Sequence, residues 1–458
     1  MRGTATVNTD PRETLANSPM CWLQILAVAI TIGLNGLDGF DVLSISFASP
    51  GFSHEWGIND AQLGLVLSME LIGMAAGSLC LGGVADKFGR RPLMLGCLAV
   101  MTFGMFMATT ASGTVQLSVY RVLTGLGIGG LLAAINAVAA EFSNAKRRDL
   151  SVSIMAIGYP LGAIVGGMIA KELLVGHDWR AVFYFGTAFT AMFIPLVFFF
   201  VPESVYWLAR KQPANALEKI NKTLRRMGHA AISELPVIAP AARKRSFTDI
   251  FSPGLLAITI LVAITYFFHV TTFYFIIKWI PKLVNEMHFP ASSAAGVLVW
   301  ANVGGALGGA TLGLLTQKFG VKGLTMGAMV LSTVMVILFG RSPPELGALS
   351  LICACAGFFT NGAIVGMYAI FARAFPTHVR ASGTGVAIGI GRGGSVLAPI
   401  AAGFLLNGGV SRATVSLIMA FGSLVAAIIL SRVKLRPDVA EHLPDARDAS
   451  PLEGATTA

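Results

Sequence analysis

An apolar run of roughly 18–25 residues recurs twelve times along this chain, and each is long enough to cross a bilayer core of about 30 Å. The runs lie at about 21–48, 61–83, 93–111, 115–140, 151–174 and 180–201, then 254–281, 292–316, 322–340, 346–371, 382–407 and 411–432. The expected class is therefore an all-α membrane protein with twelve transmembrane helices. Composition agrees: the 458 residues are 55% hydrophobic and 12% charged, with mean hydropathy +0.72. That is too little charge to cover a soluble protein of this size. The 52 glycines fit as well, because small residues let membrane helices approach closely.

The net charge of +10 is distributed by topology rather than gathered into a patch. Lys87, Arg90 and Arg91 fall in one polar break, and Lys146, Arg147 and Arg148 in another. A longer break runs from Arg210 and Lys211 to Arg243, Lys244 and Arg245. These are alternate breaks, as positive-inside topology requires, so no nucleic-acid partner is expected. Twelve spans put both termini on one side, and the basic breaks make it the cytoplasmic side of a cell inner (plasma) membrane. Arg121 and Arg392 are the basic residues read as lying deep inside spans. The first apolar stretch is too long for a signal-peptide core and reads as an uncleaved helix. The five cysteines show no metal spacing and read as small packing residues.

The chain divides into an N-terminal cytoplasmic tail (1–20), a six-helix half (21–201), a cytoplasmic central linker (202–253), a second six-helix half (254–432) and a C-terminal cytoplasmic tail (433–458). The linker reads as short amphipathic helices. One spans Ala216 to Met227, with Lys219, Lys222, Arg225 and Arg226 facing water or headgroups. The tail after Lys434 has a disordered composition. An internal repeat supports the two halves. Gly82, Lys87, Phe88, Gly89 and Arg91 recur as Gly313, Lys318, Phe319, Gly320 and Lys322, at a constant offset of 231 residues. Transport folds built from such repeats place the substrate between the halves, near mid-membrane.

Several motifs carry a resemblance. Gly82 to Arg91 resembles the signature loop between the second and third helices of the major facilitator superfamily. Arg121, Gly125, Gly127 and Gly129 resemble its fourth-helix motif, Gly158 to Gly167 its fifth helix, and Pro202-Glu203-Ser204 the close of its sixth. Asp38-Gly39-Phe40-Asp41 is similar to the first-helix element of the aromatic acid:proton symporters within that superfamily. So are Gly176 to Phe183 and the stretch from Phe375 to Gly394. The resemblance implies two pseudo-symmetric six-helix halves and proton-driven uptake of benzoate-like or phenylpropanoid-like acids. The sequence departs from the pattern at Gln317 and Val321, and at Glu70, where a small residue is expected.

Ionisable groups inside a membrane are costly and mark function by default. Asp38 and Asp41 are three apart and share one face of the first helix with Asn35. Arg121 enters at similar depth, so an Asp–Arg pair across a cavity is expected. Opening that cavity to alternate sides changes a carboxylate's surroundings and lets it load and lose a proton. Asp41 is the expected carrier, with Asp38 and Arg121 as partners. Arg392, about ten residues into its helix among glycines, suits bidentate binding of a substrate carboxylate, or pairing with an acid such as Glu70. Tyr266, His269 and Tyr274 on the seventh helix and Asn361 and Tyr368 on the tenth complete the candidate substrate set, with Asn35 and Glu70. Gly82, Asp86, Lys87, Gly89, Arg90, Arg91, Glu141, Arg148 and Arg380 read as a cytoplasmic gate.

The expected function is proton-coupled import of a small aromatic carboxylate by rocking of the halves. It needs no cofactor beyond the proton gradient, and the working unit is a monomer in the bilayer. The alternative keeps the fold and changes the cargo to an aliphatic organic acid, a sugar, or a drug or metabolite for efflux. No catalytic triad, metal spacing or phosphate loop points to an enzyme.

Overall fold

The computed structural model describes residues 10–237, 252–316, 318–375 and 379–433. Residues 1–9, most of the second half of the expected linker, Gln317, Pro376 to His378, and the tail from 434 lie outside the described residues. Helices account for nearly all of the remainder. A short α1 (Pro11–Asn17) precedes six long helices: α2 (Trp22–Trp56), α3 (Asp60–Phe88), α4 (Arg90–Thr109), α5 (Thr114–Glu141), α6 (Arg148–Gly176) and α7 (Arg180–Phe200). Two short helices follow, α8 (Val205–Lys211) and α9 (Ala216–Arg226). Then come α10 (Pro253–Asn285), α11 (Ala291–Leu315), α12 (Val321–Arg341), α13 (Leu346–Ala374), α14 (Arg380–Asn407) and α15 (Arg412–Arg432). Twelve of these are long and apolar enough to cross a membrane.

Several helix ends run past the sequence expectation, and two of them matter for the site. The first long helix continues past Pro50 to Trp56, and the seventh continues through Pro281 to Asn285. Proline costs one backbone hydrogen bond, which neighbouring helices at a buried position offset. The second extension leaves Lys278 seven residues from the helix end rather than three. The expected N-terminal tail also contains α1, which Asp10 caps and which buries Leu15.

The hydrophobic core divides in a way that fixes the shape. One continuous cluster joins both halves at the end remote from the termini, including Phe47, Phe52 and Trp179 with Trp279, Leu298 and Ala402. At the terminus end there are two separate clusters, one in each half. At the remote end α3 and α14 meet backbone to backbone. A Cβ added at Gly403 would lie 3.1 Å from Gly64 Cα, and Ser68 Oγ donates to Val396 O at 2.8 Å. Further toward the termini, a Cβ added at Gly82 or Gly83 of α3, or at Gly385 or Gly389 of α14, would meet no other helix within 4 Å. The halves therefore touch at the remote end and part toward the termini.

The repeat read from the sequence reappears as a repeated contact. Arg91 donates to Phe198 O at 2.6 Å, closing the last turn of α7. Its counterpart Lys322 donates to Ser431 O at 2.7 Å and Val433 O at 2.8 Å, closing the last turn of α15. A cation at a helix C-terminus satisfies orphan carbonyls and complements the dipole.

Candidate functional site

Between the halves, at mid-depth, lies a cluster of buried charge. Asp38 and Asp41 both point into the protein from α2, 2% and 0% exposed. Asp38 Oδ1 and both carboxylate oxygens of Asp41 have no hydrogen-bond partner. Each is a site that a proton, a water or a substrate hydroxyl must complete.

The expected Asp–Arg pair is not what the structure holds. Arg121 on α5 reaches Asp41 only through its backbone carbonyl, at 2.8 Å, and touches Met105 Sδ at 2.9 Å. Its ion-pair partner is Glu70 on α3. The reason is local. Gly125 stands one turn from Arg121, and lacking a side chain it lets α5 press against the backbone of α3 at Glu70. The glutamate's extra methylene then carries its carboxylate to the guanidinium, which also lies 5.5 Å over the Phe183 ring.

A residue that sequence reasoning missed completes the arrangement. Lys278 of α10 is fully buried, donates from Nζ to Val42 O, and lies 3.5 Å from Glu70 Oε2. The signal was present, since a lysine between Ile277 and Trp279 interrupts an apolar run. Lys278 falls in the last turn of the span expected at 254–281, so it is not among the charges read as intramembrane there. Glu70 is thus held between Arg121 of its own half and Lys278 of the other.

Arg392 of α14 also crosses between halves, donating to Met74 O of α3 at 2.9 Å. Met74 follows Glu70 by one helical turn, so two cations of the second half meet α3 about 6 Å apart along its axis. Glu70 takes Arg121 and Lys278 as its ion-pair partners, not Arg392. Tyr266, Tyr274 and Tyr368 lie in the same half as Arg392 and Tyr159 in the other, four of the chain's seven tyrosines, with Tyr274 coupled electrostatically to Arg392 and to the other three. Tyr159 was not foreseen. The Tyr266 and Tyr368 hydroxyls are 3.2 Å apart, and the Tyr266 ring packs edge-on to Phe371 in the space left by Gly391. Tyr368 is 47% exposed where the halves part.

Three expected site residues make fastening contacts between helices. His269 is fully buried, with Nδ1 2.9 Å from Ser423 Oγ and Nε2 2.9 Å from Thr360 O. Asn361 donates to Gly305 O at 2.7 Å and Asn35 to Met155 O at 2.8 Å. Each amide or ring satisfies a neighbouring helix's polar groups, as a buried polar group must.

At the terminus end, Asp86 Oδ1 accepts from Arg90 at 3.0 Å and from Arg210 of α8 at 3.1 Å. Arg90 also reaches Glu141 at 3.2 Å. The turn is closed by Glu203, whose Oε1 accepts from the backbone N–H of Arg90 and of Ser204, both at 2.9 Å. Its side chain fills the space beside Gly89, which sits at φ 108 where a Cβ would collide with it. Burial pushes the Glu203 carboxyl up, and the backbone N–H groups around it pull the other way. Arg148 joins the edge of this network, donating to Tyr206 Oη at 3.1 Å. Lys87 lies over the Phe88 ring, and Gly82 is open. Arg380 stands outside the network: it is exposed and bonds its own half at Phe375 O. Every partner of the Asp86 cluster belongs to the first half or to α8, because the halves are apart here.

Comparison with known proteins agrees with this architecture. The family model described as Major Facilitator Superfamily matches residues 31–340 and 262–455. The chain is 30% identical to the 4-hydroxybenzoate transporter PcaK of Pseudomonas putida, over 85% of this chain and 87% of that one. It is 26% identical to the gallate transporter of Pseudomonas putida, over 95% and 98%. Among solved structures it resembles the inward open conformation of the xylose transporter XylE from E. coli, with a TM-score of 0.70, 17% identity, and coverage of 92% and 98%. With its twelve long helices, its paired halves and a family match over most of its length, this chain belongs to the major facilitator superfamily of multi-pass membrane transporters.

Proposed function

We propose that this transporter imports small aromatic carboxylates together with protons, by alternating access between its two halves. The carrying observation is the buried charge cluster at the seam, in which Asp38 Oδ1 and both oxygens of the Asp41 carboxylate have no hydrogen-bond partner. An ionised carboxylate left unpaired in hydrocarbon is costly, and a residue kept there at such cost has a task. Asp41 carries the proton, and Asp38 shares the field around it.

The charge count supports one proton per substrate. Asp38, Asp41 and Glu70 face Arg121, Lys278 and Arg392, three acids against three bases. A monoanionic substrate upsets that balance by one, and one proton restores it. Transport at this ratio is electroneutral, whereas a second proton adds about 2.3 kcal/mol per 100 mV of membrane potential. Arg392 receives the carboxylate through its forked donors, and the four tyrosines supply ring faces and hydroxyls for a hydroxylated aromatic ring. Relatives named for 4-hydroxybenzoate and gallate transport point to the same class. The terminus end is the cytoplasmic side of a cell inner membrane, and the monomer is the working unit, since one chain supplies both walls of the site.

The test is uptake of radiolabelled hydroxybenzoates and related acids in proteoliposomes, with and without an imposed proton gradient. Accumulation that collapses with an uncoupler is expected. Uptake indifferent to the gradient, or absent for every aromatic acid, refutes the reading.

A further inference from the structure

Lys278 makes both of its polar contacts across the seam, to Val42 O and to Glu70. Both partners belong to the first half, and α10, which carries Lys278, belongs to the second. Alternating access requires the remote ends to separate, and that motion strips the ammonium of both partners at once. Arg121 differs, because Glu70 and Asp41 O move with it. An ammonium left alone at this depth is costly. Something must replace Glu70 when the remote ends part, and the group arriving from that side is the substrate's carboxylate.

We propose that Lys278 is the first receptor of that carboxylate: on opening it exchanges Glu70 for the substrate, and on closing it releases the substrate to Arg392. This rests on the carboxylate-import reading. The spacing fits, because Lys278 meets α3 at Glu70 and Arg392 meets it one turn nearer the termini, at Met74. One helical turn is about 5.4 Å, the scale of a small carboxylic acid. The two cations also suit their tasks. A compact ammonium with rotating donors holds a carboxylate without fixing its plane, whereas a guanidinium fork holds it bidentately. When Lys278 returns to Glu70 and Val42, closure and release become one event.

The test measures transport from each face separately, in oriented proteoliposomes holding the whole protein, with a panel of radiolabelled aromatic and aliphatic carboxylates. In Lys278→Gln the KM for entry from the remote face rises about tenfold or more, while the KM for exit from the terminus face stays within about twofold. Lys278→Arg restores the entry KM toward the parent value. The double variant Glu70→Gln/Lys278→Gln leaves neither charge buried alone, and it keeps the raised entry KM. Equal changes at both faces, or a normal entry KM in the double variant, reduce the pair to a structural fastening and overturn the proposal. Transport of aliphatic but not aromatic acids sinks the aromatic reading while this test still runs. No carboxylate transport at all overturns both.

Discussion

Glu70 and Asp86 stand on the same helix, and each is held between two cations. Sixteen residues, about 24 Å of helix, separate them. Glu70, Arg121 and Lys278 are all 0% exposed, and the cations come from opposite halves. Asp86 and Arg210 are 59% and 57% exposed, and every partner lies in the first half or α8. Two unit charges 4 Å apart are worth about 1 kcal/mol in water and about 4 kcal/mol in a medium of effective dielectric 20. The same chemistry is therefore a surface clasp at one end of α3 and a strong link between moving bodies near its middle. Depth and the origin of the partner, more than residue type, divide the two.

Removing Glu70 is the harshest test of this contrast. Glu70→Ala leaves two buried cations without their counter-charge, and a loss of about 3–5 kcal/mol is expected. It is read as a large fall in thermal midpoint of the purified protein, with loss of transport. A shift no larger than that of an Asp86 variant would erase the distinction.

Asp41→Asn comes next and separates coupling from stability. Its carboxylate has no protein partner to lose, so the thermal midpoint should move by less than about 1 kcal/mol equivalent. Gradient-driven accumulation should fall to simple equilibration, as tracer uptake would show. Full accumulation in this variant would give the proton to another acid.

At the terminus end the effects shrink. Arg90→Ala removes bonds to Asp86, Glu141 and Ala85 O, and leaves the Glu141 carboxylate, whose other oxygen is already unpaired, with neither oxygen bonded. About 1–3 kcal/mol of stability is expected to go, measured by denaturation in detergent. Asp86→Asn is the mildest, at about 0–1 kcal/mol, because water replaces the lost pairs. A stability loss from it matching Glu70→Ala would show that the exposed cluster couples the halves in a way its geometry does not display.

Much of this was legible in the sequence, for identifiable reasons. Helix number follows from run length alone, and the burial of Asp38 and Asp41 follows from acids placed mid-run. The 231-residue repeat foretold equivalent loops, and Arg91 and Lys322 turn out to close the same helix end in each half. What sequence cannot give is which helix lies beside which. Arg121 was matched to the aspartates because its depth agreed with theirs, yet Gly125 brings α3 closer and Glu70 takes the guanidinium. Lys278 sits in the last turn of the span expected at 254–281, and only the continuation of α10 through Pro281, supported by packing that no local propensity encodes, shows it to be buried in the seam. His269 looked like a cavity residue until both ring nitrogens found Ser423 and Thr360 on neighbouring helices.

The glycine-lined contact between α3 and α14 has a practical consequence. Gly64 and Gly403 let two backbones meet so closely that neither helix has room for even one methyl group at the crossing. A valine at either position would act as a doorstop, holding the mouth ajar on that side while leaving the ion cluster below untouched. The seam thus offers a chemical handle for catching the opposite conformation, with its gatekeeping lysine bared to solvent.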